Sequence, residues 1–148
     1  ARRTLLWSKL AFAFVAALVV TLPLVLASGY MLRLPAATLG HHGLAVALIC
    51  FGVSGLSVGL GAVFPNWREQ SPSKIVSGFG GTLNLLVSVA FVVVMVALTA
   101  LPYGIRLMRL GHSGAEGAYA MLASAAVALA AGLLPMRFGL RALERLEF

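Results

Sequence analysis

The chain has 148 residues, 61% hydrophobic and only 10% charged. Soluble domains carry about 25% charged residues, so there is too little charge here to coat a water-facing surface, and a membrane protein is the class that remains. The formal net charge of +7 does not point to nucleic acid, because the basic residues border apolar runs instead of gathering into one patch.

In chain order, Arg2, Arg3 and Lys9 precede an apolar run from Leu10 to Leu32. A secretory leader has a core of about 7–15 apolar residues and a small-residue cleavage site. This run is longer, and "LASGY" is a poor cleavage site, so the reading is a retained span over residues 8–30 with Pro23 inside it. The first residue is Ala1, which leads us to expect a processed chain or a piece of a longer protein.

A membrane helix needs about 20 mostly apolar residues, and three later stretches qualify. The second span is expected over residues 44–63, the third over 82–101 and the fourth over 118–136, with Pro65, Pro102 and Pro135 marking ends. The expected fold class is therefore all-α: a single four-transmembrane-helix bundle with a short cytoplasmic connecting helix.

Small residues recur at spacings that let helix backbones approach. Gly55 and Gly59 are four apart, as are Ser57 and Gly61, and Ser77 and Gly81; residues 118–132 are dense in Ala, Ser and Gly. These faces predict a tight bundle or a tight dimer. Asn84 and Ser88 form an intramembrane polar pair one turn apart. Asn84 is expected to face protein and to bond across to Ser54 or Ser57, since a lipid-facing amide is costly.

The one long polar stretch is "VFPNWREQSPSKIVSGFGGTLN", residues 63–84. Phe64-Pro65 closes span two, because the residue before a proline avoids helical angles. Trp67 suits headgroup depth. Ser71 can cap a short helix that starts at Pro72 and breaks at Gly78, Gly80 and Gly81. The tail, residues 136–148, reads as an interfacial helical extension of span four. With the N-terminus inside, the cytoplasmic segments hold eight Lys or Arg and the outer loops three (Arg33, Arg106 and Arg109). That bias predicts cytoplasmic N- and C-termini and a cytoplasmic connection between spans two and three.

Several chemistries lack their residues. The chain has no Asp, and Glu69, Glu116, Glu144 and Glu147 all sit at edges or in loops, so no mid-membrane carboxylate is available for ion coupling. His41 and His42 are neighbours that diverge on a helix and make no metal pair, while the single cysteine, Cys50, forms no internal disulfide. Neither a metal nor a cofactor is expected. The "GVSG" at residues 52–55 resembles the nucleophile motif of rhomboid-type intramembrane proteases, but no later span holds a histidine to serve Ser54 as base. "SGFGG" lacks the lysine of a phosphate-binding loop, so any driving ATPase lies elsewhere.

At "GLSVGLGAVFPNWREQSPSKIVSGFGGTLNLLVS", residues 55–88, the chain resembles a segment near the C-terminal end of bacterial ABC exporter permeases of the ABC-2-like type. The shared residues are Gly59, Gly61, Phe64, Pro65, Asn66, Glu69, Pro72, Lys74, Ile75, Ser77, Gly78, Gly80, Gly81 and Thr82. The resemblance implies a permease subunit of the bacterial inner membrane, longer than this chain. It implies pairing with an ATP-binding cassette ATPase subunit, and with a second permease copy or with spans preceding Ala1. The expected contact with the ATPase is the connection carrying Asn66, Trp67, Arg68, Glu69, Pro72 and Lys74. A non-transporting membrane scaffold is the second reading and an intramembrane serine protease a remote third. No enzymatic activity is expected of this chain itself.

Overall fold

The computed structural model of the chain describes residues 2–63, 79–108 and 115–144. These form four helices: α1 Arg2–Met31, α2 Ala36–Val63, α3 Phe79–Met108 and α4 Ala115–Glu144. No strand occurs among the described residues. Each helix is long and apolar enough to cross a membrane. A helix that is apolar all round is at home only in a protein core or a bilayer. Most large apolar side chains of α1 and α3 are exposed, among them Phe12, Val19, Leu24, Leu85 and Val93, which leaves the bilayer as their solvent. The short connecting helix expected from Pro72 to Ser77 lies outside the described residues.

The bundle is built around α2, which packs on α1, α3 and α4, whereas α1 and α3 do not pair with each other among the described residues. Position by position, the contacts give the relative directions. Gly29 meets Leu39 across the α1–α2 turn, and Phe14 meets Phe51 further down, so α1 and α2 are antiparallel. Asn84 meets Ser57 and Phe91 meets Gly52, so α3 is antiparallel to α2 as well. Gly55, Gly59 and Ala62 meet Gly132, Pro135 and Gly139 in the same order, so α2 and α4 run parallel.

Two apolar clusters fill the bundle. Leu56, Phe91, Met95 and Ala128 join α2, α3 and α4, with Met95 and Ala128 both 0% exposed. Leu6, Leu10 and Met136, backed by Val58, Ala62 and Leu140, join the start of α1 to the ends of α2 and α4. The second cluster brings Arg3, Lys9, Arg137 and Arg141 to one end of the bundle, the end from which residues 64–78 depart.

The helices differ from the sequence expectation at their ends. The second helix begins at Ala36, eight residues before Leu44, and its start is set by the Leu39 amide donating to the Pro35 carbonyl at 3.0 Å. The polar and small run Gly40-His41-His42-Gly43 breaks the apolar count without breaking the helix, since an intact helix keeps its backbone groups paired. The expectation that Pro102 marks a helix end is corrected, since α3 runs on to Met108; α4 continues through Pro135 to Glu144, as the helical extension expected of span four requires. Inside a membrane a proline costs one hydrogen bond, whereas ending the helix would strip several. The first helix is likewise continuous through Pro23.

The turn between α1 and α2 is a Schellman cap. The Leu34 amide donates to the Gly29 carbonyl at 3.1 Å and the Arg33 amide to the Tyr30 carbonyl at 3.0 Å, the paired bonds that define the motif. Its left-handed position is held by Arg33 at φ 53°, where glycine is usual. A side chain there costs about 1–2 kcal/mol of backbone energy.

Candidate functional site

The sequence-marked residues fall into three groups, and the structure treats each differently. The proposed ATPase-contact residues Asn66, Trp67, Arg68, Glu69, Pro72 and Lys74, and with them Ser77, lie outside the described residues. What the structure describes is their frame, the last turns of α2 and the first turns of α3.

The small residues form a seam inside that frame. Gly55 and Gly59 are buried and face α4. A methyl group on Gly55 would come 2.5 Å from the Gly132 carbonyl oxygen, and one on Gly59 would come 2.5 Å from Pro135 Cβ and 2.8 Å from the Met136 amide nitrogen. One on Gly139 would meet Ala62 Cβ at 2.9 Å and the Gly59 oxygen at 3.0 Å. The partner atoms are mostly backbone, so they cannot rotate away. Between lipid-soluble helices, association rests on such close packing because lipid offers no hydrophobic gain. The seam is internal and parallel, joining α2 to α4 of the same chain. Gly61 is exposed, and a methyl group there would meet nothing within 4 Å. Gly81 is half-buried in the first turn of α3.

The intramembrane polar pair closes the other side of the frame. Asn84 Nδ2 donates to Ser57 Oγ at 3.4 Å, and the Ser88 hydroxyl donates to Asn84 Oδ1 at 3.5 Å. Both exceed the usual 2.7–3.2 Å range, so each bond is weak. Their placement matters more than their strength. Ser57 is six residues before Val63 and Asn84 five after Phe79, about 8–9 Å from each helix end. Both arms of the 64–78 connection are therefore tied to each other just inside the bundle, and the α2 arm is tied again to α4 through the glycine seam. Sequence reading reached Asn84 through the cost of a polar side chain in lipid and left its partner open between Ser54 and Ser57; the structure pairs it with Ser57. Sequence reading also marked the Ala-, Ser- and Gly-dense run 118–132, which ends on Gly132, but did not reach Pro135 as a packing residue, or Gly139.

The "GVSG" residues serve packing. Phe91 covers Gly52, Gly55 abuts Gly132, and Ser54 is 5% exposed. His42 is three turns back along α2, about 18 Å from Ser54, too far to act as its base. Among the described residues there is no group of His, Cys, Asp or Glu that could hold a metal.

Fold and frame together define a multi-span helical membrane protein with a braced polar connection at one end. The chain belongs to the ABC-transporter-related family described as "Putative ATP-binding cassette", which it matches over residues 1–148. That description names the ATP-binding side of such systems and not a membrane subunit. No curated protein matches the chain. No solved structure matches it either.

Proposed function

We propose that the chain is the membrane-embedded permease part of an ATP-binding cassette exporter in the bacterial inner membrane, driven by an ATPase carried on a separate subunit. One observation carries this reading: the family match covers the same residues that form four membrane-length helices. The stretches between those helices are too short for an ATPase domain, the longest being 64–78, whereas independent domains need about 50 residues or more. Between its helices this stretch has no room for a cassette, and in this reading a separate subunit supplies one.

In this reading the 64–78 connection faces the cytoplasm and contacts the ATPase through Asn66, Trp67, Arg68, Glu69, Pro72 and Lys74. The brace explains how a contact there would act. Ser57–Asn84 links α2 to α3, and Gly55–Gly132 and Gly59–Pro135 link α2 to α4. A displacement of the connection would move three helices as a unit instead of bending one. Substrate would pass between this unit and a second copy, or between it and further spans. The cations at the connection's end of the bundle, Arg3, Lys9, Arg137 and Arg141, support a cytoplasmic placement of that end by the positive-inside bias.

The test is affinity purification of the tagged chain, in its native operon context, followed by ATPase assay in proteoliposomes. The expected result is a co-purifying cassette subunit whose ATP turnover depends on this chain. Arg68→Ala combined with Lys74→Ala should lower that dependence while the complex remains assembled. A chain that purifies with other membrane proteins and no ATPase would replace transport with a scaffold role.

A further inference from the structure

The α1–α2 turn carries a feature that the transport reading does not use. Beside the cap lies an open cleft of about 470 Å³, lined by Tyr30, Met31, Arg33, Leu34 and Leu39. Its size falls within the range of about 300–1,000 Å³ typical of small-ligand sites. Three of the five lining side chains are apolar, and the other two are a guanidinium and a phenol. The backbone fixes the two polar residues relative to each other, because the Arg33 amide donates to the Tyr30 carbonyl. Leu39 is held against Gly29 and forms a wall. Tyr30, Met31 and Leu32 are 81%, 83% and 69% exposed, so this end of the bundle is open on the side away from the core.

Depth in the membrane follows from α1. Trp7 and Tyr30 are separated by 23 residues, about 35 Å along the axis, and both are exposed. That spacing lies between the hydrocarbon thickness of about 30 Å and the full bilayer of about 40–45 Å. With Trp7 in one aromatic belt, Tyr30 and Arg33 stand at the headgroup level of the opposite leaflet. The position that favours glycine thus holds an arginine at phosphate depth, next to an apolar cleft.

We propose that this cleft binds an anionic phospholipid. The Arg33 guanidinium and the Tyr30 hydroxyl donate to the phosphodiester oxygens, and the upper acyl segment lies along Met31, Leu34 and Leu39. Arginine's planar fork matches phosphate geometry and is less strongly hydrated than an ammonium. The apolar walls select a lipid over free phosphate, which would leave them uncovered. The net negative charge separates phosphatidylglycerol from phosphatidylcholine, whose own cation competes with Arg33. The proposal needs only that α1 spans the bilayer, and it stands whether or not the chain is a permease.

The left-handed backbone at Arg33 supplies its own control. Arg33→Gly and Arg33→Asn remove the charge while placing residues that tolerate φ 53°, so neither should unfold the turn. The full chain in detergent is incubated with phosphatidylglycerol, phosphatidylcholine or inorganic phosphate, and adducts are read by native mass spectrometry alongside melting temperature. The expected result is retention of phosphatidylglycerol by the unaltered chain, with a rise in melting temperature. Both neutral variants should lose about tenfold or more of that retention and the lipid-dependent rise, while melting no lower than the unaltered chain without lipid. Arg33→Lys should retain part of the binding. Equal retention by the neutral variants overturns the proposal, as does equal retention of phosphatidylcholine or retention of inorganic phosphate alone.

Discussion

At the residue scale, the glycines of α2 divide into those that touch another helix and those that do not. Gly55 lies against the Gly132 backbone, while Gly61 meets nothing within 4 Å. Gly55→Val should therefore push α2 away from α4 and destabilise the bundle by about 1–3 kcal/mol, the usual cost of overpacking a rigid site. Gly132→Val should act in the same direction, since its added atoms would meet the Phe51 ring at 2.5 Å. Gly61→Ala should leave stability unchanged or raise it slightly, because alanine loses less backbone entropy in a helix. Reversible unfolding in mixed micelles checks all three. A loss for Gly61→Ala equal to that for Gly55→Val would show that spacing and not contact governs the seam.

At the scale of elements, the helix pairs are held by different means, and this decides what the sequence could reveal. The existence and type of all four helices were legible because each is a long apolar run, and membrane length leaves little alternative. Their ends were less legible. Pro102 reads as an end by local rules, and the run Gly40–Gly43 interrupts the apolar count, yet both sit inside helices, since lipid penalises unpaired backbone more than it penalises a polar or kinking residue. Partner choice was legible on one side only: Asn84 announces a polar contact, whereas Gly55 says that a backbone comes close without saying whose. The α2–α3 link is the weaker one. Asn84→Ala should cost about 0.6 kcal/mol, the average for such bonds in membranes, and Ser57→Ala should add little once Asn84 is gone. A double-mutant cycle measures this. Fully additive losses would mean that the 3.4 Å pair carries no coupling.

At the scale of the molecule, charge and direction are linked by the path of the chain. The second helix runs from Ala36 to Val63, about 42 Å, enough to carry it from one side of a bilayer to the other. Its start adjoins the Arg33 turn, and its end adjoins the cluster of Leu6, Leu10 and Met136 with Arg3, Lys9, Arg137 and Arg141 close by. Moving this cationic end across the membrane would place five basic residues of the described helices (Arg2, Arg3, Lys9, Arg137 and Arg141) on the side the positive-inside bias disfavours, against Arg33 and Arg106 at the other. The proposed orientation can thus be tested on a Cys50→Ala background with two single cysteines. Gly40→Cys is exposed and has open space around it, and Ser73→Cys lies in the 64–78 connection. In sealed cells a membrane-impermeant maleimide should label Gly40→Cys and should reach Ser73→Cys only after the inner membrane is opened. The reverse pattern would invert the bundle and remove the connection from the reach of a cytoplasmic ATPase. Labelling of both from one side would mean that α2 does not cross, and would overturn the four-span reading.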